Sequence, residues 1–340
     1  MSQNHRPNDH PLARHGRIGA LLVNLGTPDA PTSSAVRRYL REFLADKRVV
    51  DLPRFIWLPI LHGIILNVRP PSTAKKYKKI WFDVANESPL RHYTRKQAST
   101  VADLYEDQII IEWAMRYGNP SIAKTVSKLA SSGCDKILIV PLYPQYSATT
   151  TASVGDAVFD ALRNRRWQPA IRMAPPFYDE ALYIAALRDV TTRHLESLSW
   201  APERVVISFH GIPQRYFDAG DPYFCHCSKT ARLLREAMQW SDDFAPMAFQ
   251  SKFGREKWLE PSTEQTIKIA SENGIKNIAV ITPAFVSDCI ETLEEIDIEL
   301  RSIFESNGGE KFTLIPCLND SPEMISLLQN LIERETSGWR

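Results

Sequence analysis

Strand-length runs of β-branched residues alternate with helix-length amphipathic segments along this chain, and this alternation limits the possible folds most strongly. It predicts parallel sheets flanked by helices, because parallel neighbours need a crossover connection that is usually helical. Eight strands are predicted in two groups of four: 18–24, 108–114, 136–142 and 169–174, then 203–209, 244–250, 277–283 and 311–316. The predicted fold class is therefore α/β, with two Rossmann-like lobes, each a doubly wound parallel four-stranded sheet, and a cleft between them.

The same grouping predicts the domain limits. Residues 1–17 contain three histidines and no apolar core, so we expect a disordered tail and not a signal peptide. The first lobe is predicted over 18–178 and the second over 198–340, with a connecting helix at 179–197. The last helix of the second lobe can pack back on the first lobe.

A short pattern recurs 141 residues later in the chain and supports the division into two lobes. In each copy Pro-Ser opens a helix, Gly closes it and a buried strand follows. The matching residues are Pro120, Ser121, Thr125 and Gly133 in the first copy, and Pro261, Ser262, Thr266 and Gly274 in the second. The repeat fits a structural duplication, although a βαβ unit alone produces similar punctuation.

Composition and charge exclude several classes of function. The 340 residues include 41 Lys and Arg against 40 Asp and Glu, which argues against a nucleic-acid-binding surface. Five cysteines without a Cys-x-x-Cys pair indicate a reducing compartment, hence a cytoplasmic location, and no disulfide framework. No Gly-rich phosphate-binding loop follows any predicted strand, so we expect no nucleotide cofactor.

The first candidate for chemistry is His210, which lies where the strand 203–209 meets a Gly-Ile-Pro turn. The carboxyl ends of strands in doubly wound sheets are the edge at which ligands bind. An imidazole there can accept a proton or bind a metal near neutral pH. A hydrogen-bonded structural histidine at a strand end explains the same position.

A row of carboxylates follows the strand 277–283. Asp288, Glu291, Glu295 and Glu299 are spaced by three, four and four residues, which places them on one face of an α-helix. An acidic face in contact with solvent is the ordinary explanation of such a run. The functional alternative is a track that leads a hard cation into the cleft, since oxygen ligands with one imidazole suit Fe(II), Mn(II) or Mg(II).

Two further segments have both a structural and a functional interpretation. Cys225-His226-Cys227 can be a soft-metal clamp or part of an ordinary loop.

The apolar stretch 55–66 is too short for the roughly 20 residues of a membrane-spanning helix. It can be buried core, or an exposed lip that contacts a membrane or a large apolar ligand. The basic residues that follow it would suit anionic headgroups or ligand carboxylates; they are Arg69, Lys75, Lys76, Lys78 and Lys79.

In combination, six motifs carry a resemblance to a known family. They are Val-Asn-Leu-Gly-Thr-Pro at 23–28, Tyr-Pro-Gln-Tyr-Ser at 143–147, Ser-Phe-His-Gly-Ile-Pro at 208–213, Gly-Asp-Pro-Tyr at 220–223, Gln-Ser-Lys-Phe-Gly at 250–254 and Ser-Asp-Cys-Ile-Glu-Thr-Leu at 287–293. Their order and spacing resemble the ferrochelatase family over about residues 18–330. Enzymes of that family insert ferrous iron into a porphyrin at the end of haem synthesis.

The resemblance implies a lyase that inserts Fe(II) into protoporphyrin IX to give protohaem, with distortion of the ring and removal of its pyrrole protons. His210 and Glu291 would be catalytic, and together with Asp288 and Glu295 they would handle the metal. The residues that match the porphyrin site are Leu25, Arg69, Tyr77, Ser88, Arg116, Trp258 and Phe285. The segment 55–66 matches the apolar lip, which implies peripheral contact with the inner membrane.

The resemblance also implies what the protein does not need, and it leaves alternatives. Fe(II) would be a substrate and no cofactor would be required. No cysteine-rich tail like that of relatives with an iron–sulfur cluster is seen at the end of the sequence, so we expect no such cluster. Cys289 stands where many relatives have histidine, and the segment 80–88 departs from the family pattern. The alternatives are a chelatase for coproporphyrin III or for a cobalt-accepting corrin precursor, and a haem-binding two-lobed protein without catalysis.

Overall fold

Two parallel four-stranded sheets form the framework of the protein in the computed structural model, which describes residues 16–106, 108–252, 254 and 256–339. The first sheet contains β1 (Arg17–Thr27), β2 (Ile109–Gly118), β3 (Cys134–Pro141) and β4 (Ala170–Met173), in the order β2-β1-β3-β4. The second contains β5 (Arg204–His210), β6 (Met247–Gln250), β7 (Asn277–Ile281) and β8 (Lys311–Leu314), in the order β6-β5-β7-β8. The predicted α/β class with two doubly wound sheets is confirmed. The tail prediction for 1–17 falls mostly outside the described residues.

Helices cover both faces of the sheets. They are α1 (Ser33–Ala45), α2 (Arg54–Ile60), α3 (Leu66–Ile80), α4 (Pro89–Tyr105), α5 (Ile122–Ser131), α6 (Ser153–Leu162), α7 (Ala181–Glu196), α8 (Gln214–Asp218), α9 (Tyr223–Met238), α10 (Thr263–Glu272), α11 (Arg301–Ser306) and α12 (Pro322–Thr336). Three short segments are π-helical, namely Leu61–Ile65, Ala148–Ala152 and Glu291–Leu300, and a 3₁₀ turn spans Ser337–Trp339. In the described parts of the chain, no helix is long and apolar enough to cross a membrane.

The central strands explain why the sequence pattern was readable. Leu21, Leu22 and Val23 in β1 are fully buried, because helices cover both faces of a parallel sheet. The same holds for Val205 and Val206 in β5. Such strands appear in a sequence as continuous apolar runs and not as an alternation.

The repeated Pro-Ser pattern has the same local structure in both lobes. Ser121 caps α5 by accepting a hydrogen bond from the Lys124 amide, and Ser262 caps α10 in the same way from Gln265. The preceding prolines also match: the carbonyl of Pro120 accepts from Met115 N, and that of Pro261 from Phe249 N. The two sheets therefore share strand order and this helix-start geometry.

One apolar core extends through both sheets. It joins β1 residues such as Leu22 to β5 residues such as Ile207, with side chains of α4, α7 and α12 between them. The C-terminal segment packs on the half of the protein that contains the first sheet. Tyr105 Oη of α4 donates to the carbonyl of Gln329 in α12 at 3.2 Å, and Lys136 Nζ of β3 donates to the carbonyl of Trp339 in the 3₁₀ turn at 3.2 Å. The domain limits 18–178 and 198–340 stay a prediction.

Candidate active site

A cleft of about 1580 Å³ opens at the carboxyl ends of the strands of both sheets. Ordinary small-molecule pockets measure about 300–1,000 Å³, so this one has room for a larger ligand. Its walls include Leu25 from the end of β1, Tyr143 after β3, His210 at the end of β5 and Phe285 after β7. The lining is largely apolar, with histidine and carboxylates at a few places.

His210 is the last residue of β5, is half-buried, and lines this cleft. Its Nδ1 lies 2.6 Å from the carbonyl oxygen of Gly211. Because a carbonyl can only accept, Nδ1–H donates this hydrogen bond and the neutral ring leaves Nε2 unprotonated. The Phe285 ring lies 6.4 Å from the imidazole centroid at an interplanar angle of 64°. The structure thus gives His210 one hydrogen-bonded nitrogen and one basic nitrogen.

Gly211 allows an aromatic wall to approach this histidine. A Cβ at Gly211 would lie 2.8 Å from the carbonyl oxygen of Gln250 and 3.2 Å from the Trp258 ring. Trp258 is held there by an antiparallel bridge to Pro213 and lines the cleft. A larger residue at 211 would push the indole away from the cleft wall.

The acidic segment is a π-helix from Glu291 to Leu300, and not the α-helix that the sequence predicted. A π-helix has more residues per turn than an α-helix, so side chains spaced by three residues diverge, while those spaced by four still lie near one face. Glu291, Glu295 and Glu299 are spaced by four and all line the cleft. The intervening Glu294 is buried, and it also borders the cleft.

Asp288 does not join the carboxylates of the cleft. It is buried just before the π-helix, where its carboxylate accepts from Thr292 Oγ1 at 2.9 Å and from Asn319 Nδ2 at 2.6 Å. Its own amide donates to the Asn319 side chain. The structure therefore does not bring Asp288 together with Glu291 and Glu295, in contrast to the metal set expected from the sequence. These hydrogen bonds hold the start of the π-helix.

Two residues at the end of β6 hold the inner carboxylates in place, and the sequence reasoning had not singled them out. Gln250 Nε2 donates to the backbone carbonyl of Glu291 at 2.9 Å, and Ser251 Oγ lies 2.7 and 2.9 Å from the two carboxylate oxygens of Glu295. Burial raises the pKa of Glu295, and the Glu291 charge adds to this, while Ser251 and His210 oppose it. The motif at 250–254 was the available signal.

Glu294 and Glu299 are paired with lysines of α3. The buried Glu294 carboxylate lies 2.8 Å from Lys76 Nζ and 3.0 Å from Lys79 Nζ, and Lys76 also contacts Glu299. The acidic run is therefore neither a purely solvated face nor one continuous carboxylate track. Within the described residues, no three His, Cys, Asp or Glu side chains are grouped closely enough to hold a metal ion.

The residues expected at the porphyrin site fall into two groups. Those that line the cleft are Leu25, Arg69, Trp258 and Phe285. The half-buried Arg69 has a pKa lowered by desolvation.

Three other expected residues lie outside the cleft lining. Tyr77 and Ser88 line a small adjacent pocket that also touches Glu291, and Ser88 serves as the N-cap of α4. Arg116 is turned away, since its guanidinium donates to the Asp46 carboxylate and to Ser153. The structure therefore does not place Arg116 where it was expected.

The cysteines do not form a soft-metal clamp. Cys225 and Cys227 lie in the first turns of α9, where Cys225 is exposed and Cys227 is fully buried, so their thiols point to different surroundings. Cys289 is buried, and burial together with the Glu291 charge raises the pKa of its thiol well above the ordinary value. A neutral thiol thus occupies the place where the family resemblance implies histidine.

The apolar stretch 55–66 is helical and has two faces. On the inner face, Trp57 lines the cleft and donates from Nε1 to the carbonyl of Leu44 at 2.7 Å, while Leu61 is fully buried. On the outer face, Phe55, Ile64 and Val68 (just beyond the stretch) are exposed. The segment is therefore both a cleft wall and an exposed apolar surface.

Comparisons with known proteins identify the family of the chain. The ferrochelatase family profile matches residues 17–336. A ferrochelatase of Rhizobium meliloti (strain 1021) is 53% identical over 97% of this chain and 98% of its own length. A ferrochelatase of Brucella ovis is 48% identical over 100% of this chain and 97% of its own length.

Among solved structures, SirB from Bacillus subtilis with Fe3+ has a TM-score of 0.54 at 12% identity, covering 95% of this chain and 97% of that one. At that identity the likeness concerns the fold alone. It is a fold of two α/β halves that share one cleft.

Proposed function

The chain belongs to the ferrochelatase family, and we propose that it inserts Fe(II) into protoporphyrin IX to give protohaem. Ferrochelatases are metal chelatases of the lyase class and act in haem biosynthesis. The observation that carries the finer proposal is the cleft of about 1580 Å³, which combines apolar walls with His210 and with carboxylates that include Glu291 and Glu295. A macrocycle needs apolar walls to bind against, and metal insertion needs a proton acceptor and oxygen ligands.

The apolar walls would bind the ring and bend it. A flat porphyrin keeps its nitrogen lone pairs in the ring plane and carries two pyrrole protons. A cleft that fits a bent ring better than a flat one uses binding energy to expose the nitrogens. Leu25, Trp258 and Phe285 lie in the walls and supply that shape.

His210 is the proposed proton acceptor. Its Nδ1–H is committed to the carbonyl of Gly211, so Nε2 is the nitrogen that can take a pyrrole proton. Glu291 and Glu295 would then exchange with the water ligands of iron on its way to the ring. Ser251 orients the Glu295 carboxylate for this role.

Arg69 lies in the cleft wall, and we assign it to a propionate of the porphyrin. Tyr77, Ser88 and Arg116 are left out of this contact set because they lie outside the lining of the cleft. Asp288 is assigned to holding the π-helix, as its hydrogen bonds to Thr292 and Asn319 indicate.

The exposed face of the apolar segment supports peripheral contact with the cytoplasmic side of a membrane. Protoporphyrin is poorly soluble, so an enzyme gains by taking it from a bilayer. Phe55, Ile64 and Val68 are on the outside of the helices whose inner face lines the cleft. A ring that leaves the bilayer at this place would reach the cleft directly.

One experiment tests the reaction and its alternatives together. The protein is incubated without oxygen with protoporphyrin IX or coproporphyrin III and with Fe(II), Zn(II) or Co(II), and product formation is followed by absorbance. Faster iron insertion into protoporphyrin IX than into coproporphyrin III is expected. Preference for coproporphyrin III or failure with every metal would overturn the proposal, and tight haem binding without insertion would favour a carrier.

A further inference from the structure

Three successive residues tie the loop after β3 to α9 and to the turn that precedes it. Gln145 Nε2 donates to Thr230 Oγ1 at 3.1 Å, and the Tyr146 amide donates to His226 Nδ1 at 3.1 Å. The next residue, Ser147, donates its hydroxyl to the carboxylate of Asp221 at 2.9 Å. The loop belongs to the first sheet and α9 to the second, so these bonds join the two halves.

This loop is also a wall of the cleft. The side chains that reach the lining are Tyr143, Gln145, Ser147, Thr149 and Thr150. None of the proposed catalytic groups lies on it. Its position therefore affects how the cleft fits the ring, without touching the groups that handle protons and iron.

Among the residues that join the loop to α9, His226 makes two contacts that depend on the orientation of its ring. Its ring stacks on Tyr178 with centroids 3.7 Å apart and planes at 10°. Because the Tyr146 amide can only donate, Nδ1 of His226 must be unprotonated. Protonation of the imidazole would remove the acceptor and set two N–H groups against each other.

We propose that His226 is a positioning residue for porphyrin binding, which holds the loop 143–150 against α9 through the hydrogen bond that its unprotonated Nδ1 accepts, while the stack on Tyr178 only orients the ring. This inference rests on the proposed function, since it concerns the fit of the same cleft. It also uses the part of the Cys225-His226-Cys227 motif that the metal-clamp interpretation left unexplained.

The charged groups around His226 come from three elements. Asp221 lies before α9, Lys229 lies one turn further along it, and Asp179 lies in the segment before α7, where it pairs with Lys229 at 2.6 Å. Burial lowers the pKa of His226 from its ordinary value of 6.5, the two aspartates oppose this, and Lys229 adds to it. The neutral, accepting form thus prevails above pH 6.5 and is lost as pH falls through the lowered pKa.

Two substitutions separate the hydrogen bond from the stack. His226→Asn keeps an acceptor oxygen close to the place of Nδ1 and removes the ring. His226→Phe keeps a ring that can stack on Tyr178 and removes the acceptor. His194→Phe is the matched control, because that half-buried histidine bonds to Thr313 away from the cleft.

Binding of protoporphyrin IX is measured by fluorescence quenching without metal, and the KM values for porphyrin and iron are measured separately. We expect His226→Phe to weaken porphyrin binding and raise its KM by about fivefold, as one lost hydrogen bond implies, with an unchanged KM for iron. His226→Asn should stay within about twofold of the wild type. As pH falls below 6.5 and through the lowered pKa of His226, porphyrin binding by the wild type should weaken, whereas binding by His226→Asn should not weaken in step with it.

Several results would overturn the inference. One such result is that His226→Asn and His226→Phe weaken porphyrin binding equally. Another is that His194→Phe weakens it as much as His226→Phe does, or that the KM values for porphyrin and iron rise in parallel. Each of these would show a general structural role. A failure of the proposed function can be told apart from a failure of this inference. A wild type that inserts no iron would overturn the proposed function. The binding measurement then still decides the role of His226 by itself.

Discussion

Replacing Phe55 and Ile64 together by Ser should detach the protein from membranes while leaving its cleft intact. Both side chains are on the outer face of the apolar segment, where Phe55 is 80% and Ile64 57% exposed. Neither lines the cleft, in contrast to Trp57 on the inner face. The double substitution therefore removes apolar surface that only an external partner can bury.

The size of the effect follows from the exposed fractions. Complete burial of such a side chain stabilises by about 1.5–3 kcal/mol. Scaled by the exposed fraction, Phe55 contributes about 2 kcal/mol and Ile64 about 1 kcal/mol on insertion. A loss of about 3 kcal/mol corresponds to partitioning that is about 100-fold weaker. Of the nearby lysines, Lys75 and Lys78 are exposed and can each add roughly 1 kcal/mol near anionic lipid.

The assay is co-sedimentation with vesicles of phosphatidylcholine and phosphatidylglycerol. The matched control replaces Phe159 and Ile269 by Ser, because they are also a Phe and an Ile that are exposed, at 57% and 44%, but on α6 and α10. Insertion into detergent-solubilised porphyrin should stay within about twofold in both double variants. If wild type, variant and control sediment equally, the outer face of 55–66 does not bind membranes.

Three other outcomes are expected from substitutions elsewhere in the protein. His210→Ala should abolish metal insertion while protoporphyrin still quenches the protein fluorescence, and turnover near the wild-type rate would contradict its role as base. Glu291→Gln should lower the rate by at least about tenfold at unchanged porphyrin binding, and an unchanged rate would remove Glu291 from the reaction. Replacing by Met both lysines that pair with Glu294 should lower the free energy of unfolding by about 3 kcal/mol in urea titrations. The same change at Lys75 and Lys78 should have little effect.

The strands were predictable because their signal is local. Each buried strand leaves a continuous apolar run, so the predicted 18–24 and 203–209 overlap β1 and β5 closely. The ends were less accurate: 244–250 begins three residues before β6, and 311–316 passes the end of β8 by two. Strand ends depend on which backbone groups find a partner in the neighbouring strand, and that depends on tertiary structure.

From position alone, the candidate site was predictable where a residue lies at or just beyond the end of a strand. His210 is the last residue of β5 and Phe285 lies in the turn after β7, and the structure places both in the cleft. Arg116 lies inside β2, where its side chain meets Asp46 and Ser153 from distant segments. Such long-range partners leave no local pattern, so its position could not be read from the sequence.

The sequence could not show which side chains of the apolar segment 55–66 face the cleft and which face outward, for a related reason. A regular α-helix would set the facing of Trp57 and Ile64 by a fixed repeat. The chain instead passes through a π-helical turn at Leu61–Ile65, directly after Pro59 in α2. The extra residue in the turn changes which side chains point outward, and no composition signal marks it.

The lysines of α3 decide how the acidic residues of the π-helix Glu291–Leu300 are used. Glu291, Glu294, Glu295 and Glu299 all line the cleft, but two lysines of α3 neutralise Glu294 and one of them also pairs with Glu299. In the proposed function, a cation would therefore meet the carboxylates of Glu291 and Glu295 and one imidazole, and not a row of four equivalent carboxylates. Fewer charged ligands bind a divalent cation less tightly. Weak binding suits a substrate metal, because it must leave these oxygens to enter a ring.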